Sequence, residues 1–213
     1  MSLIFSNNNS YRDETIFFLF LYMTLIASFI FGENSTGGAI KDYVNQKNVS
    51  QGFANDVVFA NFGLILQNSG NLNDAEISTR KAIELNPNFA AAYSNLGGIL
   101  RDLGKLNEAE KYTYKAIQLD PNSVQSRSNM ASILKDLGKL NEAEISARKA
   151  IELDPSFADA YYNLGGILID LDKLKEAEIY TLKAIEINPN FASAYYNIGA
   201  VSYTHLRAHE TQR

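Results

Sequence analysis

One long pattern, written four times in succession at a constant interval, constrains what this chain can fold into more than any other feature. A clear copy is the stretch AAAYSNLGGILRDLGKLNEAEKYTYKAIQLDPNS at Ala90–Ser123. Evenly spaced prolines close the copies, at Pro87, Pro121, Pro155 and Pro189. A fixed period of about 20–50 residues is typical of repeat arrays, in which one unit cannot bury its apolar side chains alone and stacks on its neighbours.

The spacing of apolar residues predicts two helices in each unit. In the second unit, Ala90–Asp102 places apolar side chains at steps of three and four residues, which form one stripe along a helix. Gly104 stands where a left-handed residue ends such a helix, and a second amphipathic helix begins near Leu106. That helix stops at Asp120, because the residue before a proline is pushed out of the helical conformation. The sequence therefore predicts an all-α fold of antiparallel helix pairs.

These residues resemble the tetratricopeptide repeat, which has an aromatic residue, a Leu-Gly pair, a mid-repeat Ala, a later Ala and then Pro at the same period. The resemblance implies a right-handed superhelical solenoid whose concave face is lined by the first helix of each unit. The units are placed at 56–89, 90–123, 124–157 and 158–191, with the start of a fifth at 192–200.

Three residues depart from the family pattern. In the third unit, Arg127 replaces the aromatic residue and Ala131 replaces the glycine. In the fourth unit, Asp172 takes the place of the glycine between the two helices. We expect Asp172 to carry a modest energetic cost there, because a residue other than glycine is unfavourable in a left-handed position.

Residues 1–38 are interpreted as a leader that contains a hydrophobic helix at Ile16–Phe31 and a glycine-rich linker after it. The apolar run has 16 residues and no charge, just under the roughly 17 that a membrane span needs. Two interpretations stay open: an uncleaved membrane anchor, or a buried leader that packs on the first unit. We expect a cytoplasmic protein, with anchoring through Ile16–Phe31 as the open alternative. Residues 39–55 are predicted to form a degenerate half-repeat that caps the first unit.

The end of the chain departs from the repeat. Val201–Thr211 resembles a translated sequencing adapter, so we expect residues 201–213 to be a non-native tail. Both histidines, His205 and His209, lie in that tail, and an isolated pair without further ligands is a weak metal site. The chain has no Cys. We therefore predict no metal site and no cofactor.

Charge and motif content narrow the class of function. A formal net charge of −5 gives no basic surface, so we expect no nucleic-acid partner. The sequence has no glycine-rich phosphate loop and no nucleophile elbow. Acidic pairs such as Glu108 and Glu110 recur in every unit, as a helix start demands and a single active site does not. The sequence predicts no enzymatic activity and leaves the oligomeric state open.

Candidate binding residues lie on the first helix of each unit. An asparagine precedes each Leu-Gly-type pair, which gives a row at Asn61, Asn95, Asn129, Asn163 and Asn197. In the family this position faces the concave groove, and the repeats are similar to those of O-linked N-acetylglucosamine transferases. An amide has both donors and an acceptor, so such a row can hold an extended peptide by its backbone. The alternative is that these amides only satisfy neighbouring helices.

Four further residues complete the candidate site. Arg101 and Lys135 are cations on the groove side, although we favour a solvated helix face as their explanation. Tyr162 and Tyr196 are candidate aromatic anchors for a partner, or they pack between units. The leading prediction is a non-catalytic scaffold that binds a protein or an extended peptide in the concave groove. The alternative is the substrate-binding region of an O-linked glycosyltransferase whose catalytic domain lies outside this fragment.

Overall fold

The computed structural model describes residues 56–199 of the chain. These residues belong to one compact unit, Asn55–Arg213. The predicted leader at 1–38 with its helix Ile16–Phe31, the half-repeat at 39–55 and the tail at 201–213 lie outside the described residues. Within 56–199, none of the helices is both long enough and apolar enough to cross a membrane.

Helices follow one another throughout the described part of the chain, alternating between first helices of 13 residues and second helices of 14. Their bounds are α1 Asp56–Asn68, α2 Leu72–Leu85, α3 Ala90–Asp102, α4 Leu106–Leu119, α5 Val124–Asp136, α6 Leu140–Leu153, α7 Ala158–Asp170 and α8 Leu174–Ile187. Residues 192–199 are also helical and begin a fifth unit. No strand occurs between residues 56 and 199, so the predicted all-α fold is confirmed.

The helices pack as consecutive pairs. Three residues separate α1 from α2, α3 from α4, α5 from α6 and α7 from α8, and so short a turn folds each pair back antiparallel. Each second helix also packs on the first helix of the next unit, and successive first helices lie against each other. This stacking on nearest neighbours confirms the predicted solenoid of helix pairs.

The turn inside each unit uses a left-handed residue. Gly104 has φ +74°, its amide donates to the Arg101 carbonyl at 2.9 Å, and the Lys105 amide donates to the Leu100 carbonyl at 2.8 Å. In the fourth unit, Asp172 occupies the same place with φ +59°, as predicted. An L-residue is less stable than glycine in this conformation, because its Cβ crowds the following carbonyl oxygen.

The second helices end where the sequence predicts. Asp120, which precedes Pro121, has left the helix and lies in the extended region with φ −135° and ψ 92°. Its side-chain oxygen accepts a hydrogen bond from the Asn122 amide at 3.1 Å, which supports the turn into the next unit. The proline thus sets the boundary between units through the residue before it.

A glycine on the first helix lets the second helix of the same unit come close. A Cβ at Gly97 would overlap the hydroxyl of Thr113. The same relationship joins Gly63 to Thr79 and Gly165 to Thr181. The third unit has Ala131 and Ala147 instead, and both are completely buried. Ala147 stands where the other units have threonine. Because alanine is smaller than threonine, Ala147 leaves room for the Cβ of Ala131.

Apolar side chains fill the interface between consecutive units, which we call a seam. Leu96 and Leu100 of α3 and Ala109 of α4 pack with Ile133 on α5 of the next unit. All four are completely buried. Burying a side chain of the size of Ile133 stabilises a fold by about 1.5–3 kcal/mol, so each unit depends on its neighbour for its core.

Ion pairs join successive second helices along the array. In each case a lysine just before one second helix reaches a glutamate on the preceding one, 29 residues earlier in the chain. The pairs are Lys105–Glu76 at 2.7 Å, Lys139–Glu110 at 2.7 Å and Lys173–Glu144 at 2.8 Å. Because the three lysine side chains are exposed to solvent, which screens their charge, these pairs add little to stability.

A contact between arginine and tyrosine marks alternate seams. Arg80 donates to the Tyr112 hydroxyl at 2.7 Å, and its guanidinium lies 5.1 Å from the centre of the ring. Arg148 and Tyr180 repeat this arrangement at 2.8 Å and 5.3 Å. The corresponding residues at the seam between the second and third units are Tyr114 and Ser146. The seams therefore alternate in chemistry with a period of two units.

Candidate functional site

The candidate site is the solvent-facing side of the first helices α1, α3, α5 and α7, which we call the first-helix face. On α3 it comprises Ala91, Asn95, Gly98, Arg101 and Asp102, all exposed or half-buried. The same register recurs once per unit on the other first helices. Because successive first helices lie against each other, residues of equal register form rows across the array.

The asparagine row lies on this face. Asn61 is exposed, whereas Asn95, Asn129, Asn163 and Asn197 are half-buried. Half-burial keeps part of each of these four amides within reach of both the array and the solvent. The structure therefore brings the predicted residues together on one surface.

Two of these amides also bond within the array. Asn129 Nδ2 lies 3.2 Å from the Ser94 carbonyl and 3.1 Å from its hydroxyl, and it donates to both. Asn163 Nδ2 donates in the same way to Ser128, at 3.4 and 2.9 Å. In each case the serine belongs to the first helix of the preceding unit. These two amides therefore bond to a neighbouring helix, which is the second interpretation of the asparagine row.

The charged residues of the face are paired between units. Arg101 Nε lies 2.7 Å from Asp136 Oδ2, and Lys135 Nζ lies 3.5 Å from Asp170 Oδ2. Between the first and second units the donor is a neutral residue, because Gln67 Nε2 donates to Asp102 Oδ2 at 2.6 Å. The predicted candidates Arg101 and Lys135 thus link consecutive first helices, and each cation already meets a carboxylate.

The two candidate tyrosines have different surroundings. Tyr162 is half-buried, and its ring centre lies 4.9 Å from that of Phe191, which precedes the fifth unit. Phe191 is the last residue of the fourth unit, so this contact lies within the unit that contains Tyr162. Tyr196 has the same register in the fifth unit and is 80% exposed. Of the two, Tyr196 presents the larger aromatic surface to solvent.

Sequence analysis missed Gly98, which is half-buried and forms part of the floor of the face, and Gly166, which has the same register in the fourth unit and is buried. Each follows a glycine that the helix pair requires for packing, Gly97 or Gly165. A Cβ at Gly98 would lie 3.6 Å from Gln67 Nε2 and would overlap nothing. The signal that could have identified them is the Gly-Gly doublet itself, because the packing of one unit accounts for only its first glycine.

The titratable groups with a perturbed pKa lie on the second helices or at their ends. A hydrogen bond from Lys173 holds the pKa of Glu144 below its ordinary value despite partial burial, and Arg148 adds to the effect. Burial alone raises the pKa of Glu76, yet hydrogen bonds from Lys105 and Arg80 bring it below the ordinary value. Since both carboxylates lie in the ion pairs of the seams, their shifts reflect structural pairing. Residues 56–199 contain no cluster of His, Cys, Asp and Glu able to hold a metal ion.

Three family models match the sequence. One described as Tetratricopeptide repeat matches residues 90–123 and 158–191, and a second of that description matches 58–89. A third, described as TPR repeat, matches 131–171. Together these matches cover the four units that the structure describes, apart from residues 56–57 and 124–130. No curated protein matches the chain.

Solved structures with a similar fold include the crystal structure of MamA, which is 26% identical with a TM-score of 0.57, over 67% of this chain and 84% of that chain. The pilF protein of Pseudomonas aeruginosa is 23% identical with a TM-score of 0.64, over 71% of this chain and 69% of that chain, and this likeness shows the fold alone. The first TPR of Spaghetti (RPAP3), solved bound to the HSP90 peptide SRMEEVD, is 27% identical with a TM-score of 0.52, over 55% of this chain and 93% of that chain.

Proposed function

The chain belongs to the tetratricopeptide repeat family, and from this premise we propose that its first-helix face holds an extended segment of a partner protein. Arrays of such repeats create long surfaces on which binding is spread over many weak contacts. The protein is thus an interaction scaffold. The finer proposal concerns which surface binds and what form the bound segment takes.

The observation that carries this proposal is the asparagine row. The bonds from Asn129 to Ser94 and from Asn163 to Ser128 hold two of its amides in fixed positions. The Asn129 amide oxygen also accepts from Gln125 Nε2 at 2.9 Å. Because an amide oxygen has two lone pairs, it can accept a second hydrogen bond from the main chain of a partner. Preorganised donors and acceptors lose little entropy on binding.

A similar protein supports the coarse form of the proposal. The first TPR of Spaghetti (RPAP3), 27% identical to this chain, has been solved with a bound HSP90 peptide. This precedent favours a short peptide segment over a folded domain as the partner. The identity of that peptide is not transferred to this chain.

The proposal is tested with peptides selected by the full-length protein from a phage-displayed library of random peptides. The variant Asn95→Ala/Asn163→Ala should bind the selected peptides about tenfold or more weakly, since each lost hydrogen bond costs about 0.5–1.5 kcal/mol. Asn107→Ala/Asn141→Ala is the matched control, because these asparagines are exposed on the second helices α4 and α6. Equal affinity for the two variants would refute the proposal.

A further inference from the structure

We infer that the exposed side of α4 is a second binding site, which takes a short acidic segment of a partner protein that also carries an apolar side chain. The site consists of Lys111, Tyr114, Lys115 and Gln118, which we call the α4 patch, and all four are exposed. The α4 patch lies on a second helix, whereas the first-helix face lies on the first helices. Binding at the α4 patch is therefore separate from the proposed function of that face.

The two lysines of the α4 patch form no ion pair, unlike most Lys and Arg side chains between residues 56 and 199. The carboxylates of α4 are already engaged by the neighbouring units. Arg80 Nη2 lies 3.3 Å from Glu108 Oε2, and Lys139 Nζ lies 2.7 Å from Glu110 Oε1. The helix α4 thus retains two positive charges that pair with no carboxylate of the described residues.

The second unit differs from the other three at two places in the patch. In the other units, the lysine in the register of Lys115 pairs with a glutamate three residues later. These pairs are Lys81–Glu84, Lys149–Glu152 and Lys183–Glu186. Gln118 replaces that glutamate in the second unit, and Lys111 stands where each other unit has an exposed isoleucine. Both differences make the second unit more positive than its neighbours.

Tyr114 supplies the apolar part of the patch. Its side chain is 58% exposed, and within residues 56–199 it makes no hydrogen bond and no ring contact. Arg80 and Arg148 have the same register and donate to a tyrosine of the next unit, but the residue in that place after Tyr114 is Ser146, which has no ring. An exposed tyrosine offers a partner a large contact area and loses little side-chain entropy when it is covered. The ring and the two lysines are neighbours on the surface of the helix, because one lysine lies one turn before both the tyrosine and the other lysine.

A third positive charge without an ion pair lies on the adjoining helix α5. Arg127 is half-buried, and its buried Nε has no hydrogen-bond partner among the described residues. The helix α5 packs on α4. A charge that is partly removed from water is screened less than an exposed one, so Arg127 adds to the positive potential around α4. The α4 patch therefore attracts an acidic segment to a chain whose net charge of −5 otherwise repels one.

A short protein segment fits the α4 patch better than a nucleic acid does. The residues equivalent to Lys111 on the two adjacent second helices are Ile77 and Ile145, so the positive charge does not continue along the array. Binding of a nucleic acid draws on many phosphate contacts in succession. Two lysines beside one tyrosine ring instead complement one or two carboxylates next to an apolar side chain.

The test uses the full-length protein with Asn95→Ala/Asn163→Ala, which weakens the first-helix face, to select peptides from a phage-displayed library of random dodecapeptides. We expect the selected peptides to be enriched in Asp and Glu relative to the library. Adding Lys111→Ile/Gln118→Glu should weaken their binding about tenfold, since it removes one cation and gives the other a carboxylate partner within the helix. Binding should also weaken as the salt concentration rises from about 0.05 to 0.5 M.

The chain itself offers the matched controls. Lys111→Ile/Gln118→Glu should keep the melting temperature of its parent, because isoleucine and glutamate already occupy these places in the other three units. Lys149→Gln, at the paired lysine of the third unit, should leave peptide binding unchanged. Tyr114→Ala tests the ring separately and should weaken binding at a similar melting temperature.

Three outcomes would overturn the assignment of the α4 patch. They are a selection that yields no peptides enriched in Asp and Glu, equal binding by Lys111→Ile/Gln118→Glu and its parent, and competition by dodecathymidylate, which would indicate a nucleic acid instead. In each case the proposed function of the first-helix face stands if Asn95→Ala/Asn163→Ala still weakens binding of the peptides selected by the unaltered protein.

Discussion

Asn129 Nδ2 donates to the main-chain carbonyl and to the hydroxyl of Ser94, one unit earlier, at 3.2 and 3.1 Å. One unit before Asn95, the position equivalent to Ser94 is Ala60, which has no hydroxyl. The row of amides therefore contains members that differ in how much the array depends on them.

Replacing Asn129 by Ala should lower the free energy of unfolding by about 0.5–1.5 kcal/mol, because the change removes hydrogen bonds across a seam. Asn95→Ala should have a smaller effect, since Ala60 stands where Ser94 does in the next unit. Urea denaturation of both variants measures the difference. Equal losses would mean that the bonds to Ser94 contribute nothing measurable.

Gly97→Ala should destabilise the fold by about 1–3 kcal/mol, because the added methyl group would overlap Thr113. Combining it with Thr113→Ala should recover most of the loss, since that pair reproduces the Ala131 and Ala147 of the third unit. A double-mutant cycle measured by thermal unfolding gives the coupling between the two positions. Gly98→Ala is the control and should not destabilise. Strictly additive effects of the two changes would contradict the packing account.

Installing an Arg–Tyr contact at the seam between the second and third units should stabilise it. Tyr114→Arg with Ser146→Tyr recreates the register of Arg148 and Tyr180, and a partly exposed contact of this type contributes about 0.5–1 kcal/mol. The single changes should gain less than the pair. Hydrogen exchange on α5 and α6, compared with the parent, reports the strength of this seam. Unaltered exchange in the double variant would count against the expectation.

Acid should weaken the seam at Glu144. Its pKa is lowered in the fold, chiefly by the hydrogen bond from Lys173, relative to an ordinary value of 4.5. A carboxylate with a depressed pKa contributes stability that is present above the ordinary value and is lost as the pH falls through the folded one. The stability difference between the parent and Glu144→Gln should therefore shrink below about pH 4.5. Glu152→Gln, at an exposed ion pair, controls for the loss of one surface carboxylate. A difference that stays constant with pH would refute the linkage.

Much of the fold follows from local patterns that any one unit contains. The apolar spacing, the glycine at residue 104 and the proline at residue 121 predict two helices and their ends, and the structure agrees. The left-handed Asp172 was predictable for the same reason, since its register is that of a turn glycine. These features depend on residues that are neighbours in the sequence.

The pairings between distant residues were harder to predict. Arg101 and Lys135 were identified as groove cations, but their aspartate partners lie 35 residues away and belong to the next unit. The match between Ala131 and Ala147 similarly requires knowing which faces of two helices meet. The same limit applies to the floor of the candidate site, because Gly98 and Gly97 look alike until Thr113 is placed beside one of them.

The alternation of the seams has a consequence for how such an array can lengthen. An in-frame duplication of the second and third units together would set Arg148 against a copy of Tyr112, which is the arginine–tyrosine combination that two seams already contain. Duplication of the second unit alone would set Tyr114 against a copy of Tyr112, a combination that none of the described seams contains. Growth of the gene by pairs of units should therefore be tolerated more readily than growth by single units.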